Sequence, residues 1–154
     1  MVQLKTLDSP GCKASLVERI VSLTAGSTRR WGRMSAHQML CHLTDSFRAV
    51  IGEREISRSR RPLPRAVLKW LVLRAPMKWP HNIRTRPEVA QDAGGTPPVE
   101  FDRDRQMLLD VMDRFCDTPD DQRGWHPALG LLSHEEWMRW GYLHVDHHLR
   151  QFGA

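Results

Sequence analysis

Apolar residues recur at the spacing of amphipathic helices in four longer stretches of the chain and in one short stretch. In the first stretch, Leu16, Ile20 and Leu23 form such a stripe. Ser9 followed by Pro10 resembles an N-cap and a first helical residue, because proline is tolerated at that position. The sequence therefore predicts a first helix that begins at this Ser-Pro pair.

Two of the longer helices have a capping box at their predicted start, in which a serine and a residue three positions later satisfy each other's backbone N–H groups. Ser35 and Gln38 have this spacing in the second helix, and Ser133 and Glu136 have it in the last. Gly153 suits the C-terminal cap of the last helix, because glycine adopts the left-handed conformation at little cost.

Prolines punctuate the middle of the chain. Pro64 predicts the start of a short helix, which Pro76 ends. The basic stretch before it, REISRSRRPLPR, is predicted to be a loop. The segment Met77–Pro98 is rich in Pro, Gly and Thr, which predicts a long irregular connection, and such loops are often functional. A third long helix is predicted over Phe101–Cys116.

These elements predict an all-α fold. No stretch alternates convincingly as a strand would, and there is no internal repeat. Four longer helices and one short one favour a four-helix bundle of the up-down type, with an extra short helix and a long irregular loop. A chain of 154 residues is most simply one domain, residues 1–154, and is long enough to bury a core.

Composition and charge narrow the functional classes. With 40% apolar and 27% charged residues, the chain has the composition of a globular protein. The net charge of +5 permits anionic partners, but no nucleic-acid-binding motif accompanies it, so we expect no nucleic-acid partner. We expect no signal peptide, and the apolar run WLVL is too short to span a membrane. Three widely spaced cysteines, Cys12, Cys41 and Cys116, favour reduced thiols in the cytoplasm.

Histidines are concentrated near the C-terminus, in GYLHVDHHLRQFG. At about 100° per residue, His144 and His148 share a helix face with Trp137 and Gln151, opposite a charged face. His147 lies on the flank, roughly 60° from His144, and is predicted not to face the interior.

One histidine of the second helix is predicted to meet this pair. His42 lies at the edge of the apolar face of that helix, whereas His37 lies on its polar side. Histidines at positions i and i+4 have the spacing of paired metal ligands on a helix. We therefore predict that His42, His144 and His148 bind a divalent metal ion, leaving coordination positions for water or substrate. Imidazole suits zinc, nickel, iron and copper, and the sequence does not distinguish zinc, nickel, iron or manganese.

The same histidines have a structural alternative, in which each is a buried residue hydrogen-bonded to backbone or water. Asp45 and Gln151 are candidates for orienting a ligand histidine or a bound water. For Asp45, solvation or a pairing with a nearby arginine is favoured over such a role, and Gln151 is equally explained as a polar residue near a helix end. Cys41 points about 100° away from His42 and is predicted to pack in the interior. His126 is predicted to be a surface loop residue, with a position at the mouth of the site as the alternative.

Two stretches resemble the DinB-like superfamily of helical-bundle metalloproteins, namely MSAHQMLCHLTDSFR and LSHEEWMRWGYLHVDHHLRQFG. The chain looks like a branch of it known only as a domain of unknown function, from about Trp31 onward. The resemblance implies a four-helix bundle with a divalent metal held by His42, His144 and His148. Relatives in the superfamily include thiol-dependent S-transferases and maleylpyruvate isomerases, which implies a low-molecular-weight thiol as cofactor. Val145 stands where H-E-x-x-H proteases have their glutamate, so a protease is not implied.

Two functional hypotheses follow from the sequence. The first is a cytoplasmic metal-dependent enzyme, a candidate thiol-dependent transferase that acts on a small molecule and whose catalytic residues the sequence does not identify. The second is a non-catalytic binding protein that uses the bundle or its basic segment, Arg54–Lys78, to recognise a lipid surface or a protein partner. No stable membrane insertion is expected under either hypothesis, and a homodimer is left open.

Overall fold

The computed structural model describes residues 4–60 and 63–154, and over these residues the protein is all-helical. Five α-helices follow one another, namely α1 (Cys12–Ser22), α2 (Ala36–Val50), α3 (Arg65–Leu73), α4 (Phe101–Asp117) and α5 (His134–Gln151). Two single-turn helices of the tighter 3₁₀ type lie at Pro87–Val89 and Asp120–Gln122. The described residues form no strand, only an isolated bridge between His126 and Gly130. The predicted all-α class is confirmed, with four longer helices and the short α3.

Both predicted capping boxes are present. Ser35 Oγ accepts a hydrogen bond from Gln38 N at 3.1 Å, and Gln38 Oε1 accepts one from Ser35 N at 2.9 Å. Ser133 and Glu136 exchange the same pair of bonds at the start of α5. Each box satisfies two N–H groups that a helix start leaves without an intrahelical partner. These two starts matter because α2 and α5 carry the histidines.

The start of α1 differs from the prediction. The helix begins at Cys12, and its N-cap is Gly11, whose φ of 74° lies in the left-handed region that glycine tolerates best. Ser9 Oγ instead accepts a hydrogen bond from Thr6 N at 3.2 Å, which closes a turn ahead of the helix. A serine side chain serves a turn as readily as a helix cap, so the Ser-Pro pair alone did not determine the boundary.

The core forms where α2 packs along α4 and where α5 packs against α1, α2 and α3. Its centre is a set of fully buried large side chains that includes Phe47, Phe115 and Trp137. Gly141 lets the chain ahead of α1 approach α5, because a Cβ atom there would lie 2.6 Å from Leu7 Cδ1. The inward face of α5 therefore continues from this apolar core to the histidines at its C-terminal end.

The predicted long connection, Met77–Pro98, has no α-helix, and its one helical element is the single-turn 3₁₀ helix Pro87–Val89. Asp45 of α2, whose side chain is fully buried, fixes it: the Asp45 carboxylate accepts hydrogen bonds from Thr96 N at 2.7 Å, Thr96 Oγ1 at 2.8 Å and Gln91 Nε2 at 3.1 Å. The other predicted loop is irregular as far as residue 60, and its residues 61–62 lie outside the described part of the chain.

Among the residues that the structure describes, no helix is both long enough and apolar enough to cross a membrane.

Candidate metal centre

Three histidines from two helices meet at one end of the core. α2 contributes His42, and α5 contributes His144 and His148 one turn apart. Their ring centroids are 4.8–5.3 Å apart, and one ring nitrogen of each lies within 4.8 Å of the others. The three side chains that the sequence singled out as metal ligands therefore converge.

A backbone carbonyl determines the tautomer of His42. His42 Nδ1 lies 2.8 Å from the carbonyl oxygen of Val89, in the single turn of the long connection. A carbonyl oxygen only accepts hydrogen bonds, so Nδ1 carries the proton and donates it. In the neutral ring, the lone pair then lies on Nε2, which is the nitrogen that faces His144.

A side-chain amide does the same for His148. Gln151 Nε2 donates to the carbonyl oxygen of Trp31 at 3.0 Å, which orients the amide so that its Oε1 faces His148. His148 Nδ1 then donates to Gln151 Oε1 at 2.9 Å, and the lone pair of the neutral ring lies on Nε2. Histidine ligands of metals commonly donate their other ring N–H to such an acceptor.

His144 completes the cluster, and its Nε2 faces the lone pair of His42 Nε2, which can accept a hydrogen bond from it. Its Nε2 lies 3.2 Å from His42 Nε2, and its buried Nδ1 has no hydrogen-bond partner among the described residues. Two facing nitrogens with lone pairs repel each other unless a proton or a cation lies between them. Either a proton that His144 Nε2 donates to His42 Nε2 or a divalent cation held by the three histidines satisfies this arrangement.

Four histidines, His42, His144, His147 and His148, have a lower pKa than free histidine. Burial, together with the neighbouring rings, lowers the pKa of His144 and His148 well below its usual value. Burial also lowers the pKa of His42, although the hydrogen bond to Val89 opposes it. The pKa of His147 is lowered to about 4, again mainly by burial. The rings are therefore neutral near pH ~7, as metal coordination requires.

The prediction that His147 points away from the interior is wrong. Its side chain is buried, with 9% of the residue exposed, and its Nδ1 has no partner among the described residues. The rings of Trp79 and Trp31 lie 5.8 and 5.9 Å from it, and His81, stacked on Trp31, lies 6.5 Å away. The helix flank is buried because segments outside the long helices cover it, which helical angles do not reveal.

Asp45 pairs with an arginine, one of the two expected alternatives, but the other expectation, that it is solvated, is wrong, because its side chain is fully buried. It is not a direct partner of the histidines. Arg54 Nε lies 3.3 Å from its carboxylate, and the other bonds of Asp45 go to the long connection. Because that connection carries the Val89 carbonyl, Asp45 supports His42 only indirectly. The direct acceptor, Val89 O, was missed, since a backbone carbonyl in a loop leaves no signal in the sequence.

A second polar cluster lies on the other side of α2. Asp104 Oδ2 of α4 is 2.7 Å from His37 Nε2, 2.9 Å from Val99 N and 3.7 Å from Cys41 Sγ. His37 is therefore partly buried and paired, not simply solvated as its position on the polar side suggested. Cys41 is buried as expected, and burial next to the Asp104 carboxylate raises the pKa of its thiol to about 12. These bonds satisfy the Asp104 carboxylate and join the start of α4 to α2.

The loop before α5 comes closer to the histidines than expected. The His126 ring is partly buried and lies 5.5 Å from that of Trp140, which in turn lies 5.0 Å from His144. His126 Nδ1 accepts hydrogen bonds from the backbone N–H groups of Ala128 and Leu129, so that nitrogen serves a turn. His126 is thus neither a free surface residue nor one of the converging ligands.

One large pocket opens beside the cluster. Its volume is about 600 Å³, and it lies between segments 31–34 and 82–93 and the end of α5. His148 lines this pocket and also belongs to the three-histidine cluster, so the pocket borders the cluster at this residue. His147 and Gln151 form the adjoining wall.

The fold and this cluster define an all-helical protein with a candidate three-histidine metal centre. The chain belongs to the family described as "Protein of unknown function (DUF1569)", whose sequence profile matches residues 1–154. No curated protein and no solved structure matches the chain.

Proposed function

We propose that this protein is a metal-dependent enzyme of the DinB-like type, a four-helix bundle in which His42, His144 and His148 hold a divalent ion. The observation that carries the proposal is the orientation of the two outer acceptors. The Val89 carbonyl and the Gln151 amide each hold the proton of one histidine on Nδ1 and leave the lone pair on Nε2. Zinc, nickel, iron and manganese all remain candidates for the ion.

The residues around such a site would have separate roles. His148 forms the border between cluster and pocket, so a substrate in the pocket approaches from its side. The Trp79 ring, 6.0 Å from that of His144, and the Trp140 ring limit access of water from the other directions. When bound, the divalent ion would supply Lewis acidity and lower the pKa of a coordinated water or thiol.

The reaction class rests on the resemblance to the DinB-like superfamily, because thiol-dependent transferases are among its members. We infer a cytoplasmic transferase that uses a low-molecular-weight thiol and a small-molecule substrate. The residues described above support metal binding and access for a small molecule, and the choice of a thiol is carried by resemblance alone.

Elemental analysis of the purified protein tests the metal centre, and His148→Gln and His147→Gln form a matched pair. Both residues are buried neighbours on α5, but only His148 belongs to the converging cluster. We expect stoichiometric divalent metal in the wild type and in His147→Gln, and its loss in His148→Gln while the helical circular dichroism persists. Retention of the metal by His148→Gln, or a folded wild type that binds none, would contradict the proposal.

A non-catalytic binding protein is the second candidate, and exposed apolar residues on α3 favour it. Trp70 and Val67 expose 55% and 45% of their surface, a face that suits a lipid surface, a protein partner or a second copy of the chain. However, Lys69 of the same helix pairs with Glu136 at 2.9 Å, which weakens its attraction to anionic lipid. Vesicle co-sedimentation of metal-free, folded protein that is lost in Trp70→Ser would favour this candidate.

A further inference from the structure

The charge of the pocket beside His148 points to the kind of molecule it receives. Arg33 and Arg84 both line the pocket, and neither side chain forms an ion pair or hydrogen bond with the described residues. Asp92 is the one carboxylate among the described lining residues. The wall therefore carries an excess of positive charge that the surrounding protein does not neutralise.

Three other arginines near this end of the protein are engaged. Arg54 donates to the Glu88 carbonyl at 2.8 Å and to Thr96 Oγ1 at 2.7 Å, Arg86 donates to Ser57 Oγ at 2.8 Å, and Arg29 donates to the Gly32 carbonyl at 3.0 Å. These bonds hold the loops that shape the pocket. Arg33 and Arg84 are thus left with all their donors available on a wall that the engaged arginines stabilise.

The remaining wall suits the organic part of a ligand. Trp31, Met34 and Ile83 contribute apolar surface, and Trp31 is held by stacking on His81, with ring centroids 3.8 Å apart. A volume of about 600 Å³ lies in the range of small-molecule sites, which combine apolar walls with a few polar groups. Guanidinium groups bind carboxylates in paired, charge-assisted hydrogen bonds.

We propose that the pocket binds a small organic anion, whose carboxylate pairs with Arg33 and Arg84 while the rest of the molecule packs on Trp31 and extends toward His148. That the far end of the anion reaches a metal rests on the proposed function. Recognition of the anion's charge by the two arginines does not rest on the proposed function, because it requires no metal ion.

N-acetylcysteine and its amide are suitable probes, because they have the same thiol and nearly the same size but differ in the carboxylate. Affinity is measured by calorimetry on the folded full-length protein, once with zinc and once with chelator. We expect N-acetylcysteine to bind about fivefold more tightly than the amide in both conditions, the upper end of what a charge pair with an exposed arginine supplies. Arg33→Gln and Arg84→Gln should each remove most of this preference.

Arg103→Gln is the matched control, because Arg103 is an exposed arginine on α4 outside the pocket and its loss changes the net charge equally. Equal binding of the acid and the amide, or a preference that Arg33→Gln and Arg84→Gln leave intact, overturns the inference even if zinc binds. If the protein binds no zinc but still prefers the acid in the presence of chelator, the inference is supported. In that case the proposed metal centre is wrong.

Discussion

Acidification of the metal-free protein should cost stability through the buried histidines. Burial lowers the pKa of His144 and His148 well below its usual value and that of His147 to about 4. In the unfolded chain these rings titrate near pH ~6.5. Below that pH the unfolded state therefore binds protons that the folded state does not, and the free energy of unfolding falls as the pH drops toward the folded-state values.

The expected loss of stability follows from the coupling between protonation and folding. A ring that stays neutral in the folded protein costs ~1.4 kcal/mol between about pH 7.5 and pH 5.5. For His144, His147 and His148 together, the upper limit of this loss in the free energy of unfolding is ~4 kcal/mol. Typical proteins are stabilised by roughly 5–15 kcal/mol, so the loss is a large part of the total. For a chain of 154 residues this corresponds to a decrease in melting temperature on the order of 10 °C.

Thermal and urea unfolding in the presence of chelator measure this loss without a contribution from bound metal. We expect His144→Gln to flatten the pH dependence by about one ring's share, ~1.4 kcal/mol over the same interval. His134→Gln is the control, because the His134 side chain is 47% exposed and pairs with Asp8 and Asp120 at the surface. If wild type and His144→Gln lose stability in parallel, the reasoning that burial holds these rings neutral is refuted.

Two further predictions concern residues on α2. Asp45→Asn should destabilise the protein by ~2–3 kcal/mol in urea unfolding and weaken metal binding, because the buried carboxylate that holds the long connection loses its charge. As the control, Asp102→Asn at the exposed start of α4 should change the free energy of unfolding by less than ~0.5 kcal/mol. Cys41 should resist a thiol reagent in the folded protein and react after unfolding, because it is buried and its pKa is raised to about 12, whereas the partly exposed Cys12 should react in the native state. Rapid modification of Cys41 in Cys12→Ser would contradict this.

Features that depend on local chemistry were predictable from the sequence. The two capping boxes need only a serine and an acceptor three residues later, and both formed where the spacing placed them. The convergence of His42 with His144 and His148 follows from helical periodicity once both helices are assigned, because residues four apart share a face.

Features that depend on the course of the long loops were not predictable in the same way. The burial of His147 comes from rings in the connections, chiefly Trp31 and Trp79. The acceptor of His42 is a carbonyl group, which every residue of the connection offers equally. Periodicity describes which way a side chain leaves its helix, but it carries no information about what the rest of the chain places over it.

Both the helices and the long connection hold the candidate centre together. The helices bring the three rings together, but the proton on His42 is fixed by Val89, in a connection that Asp45 and Arg54 fasten to α2. Order in the connection and the readiness of His42 to bind a cation are therefore coupled. Any cation that binds the ordered form more tightly must stabilise the connection by the same free energy, since linkage between two equilibria is reciprocal. Residues 82–93 of the same connection line the pocket, so metal binding and order in this wall are expected to reinforce each other.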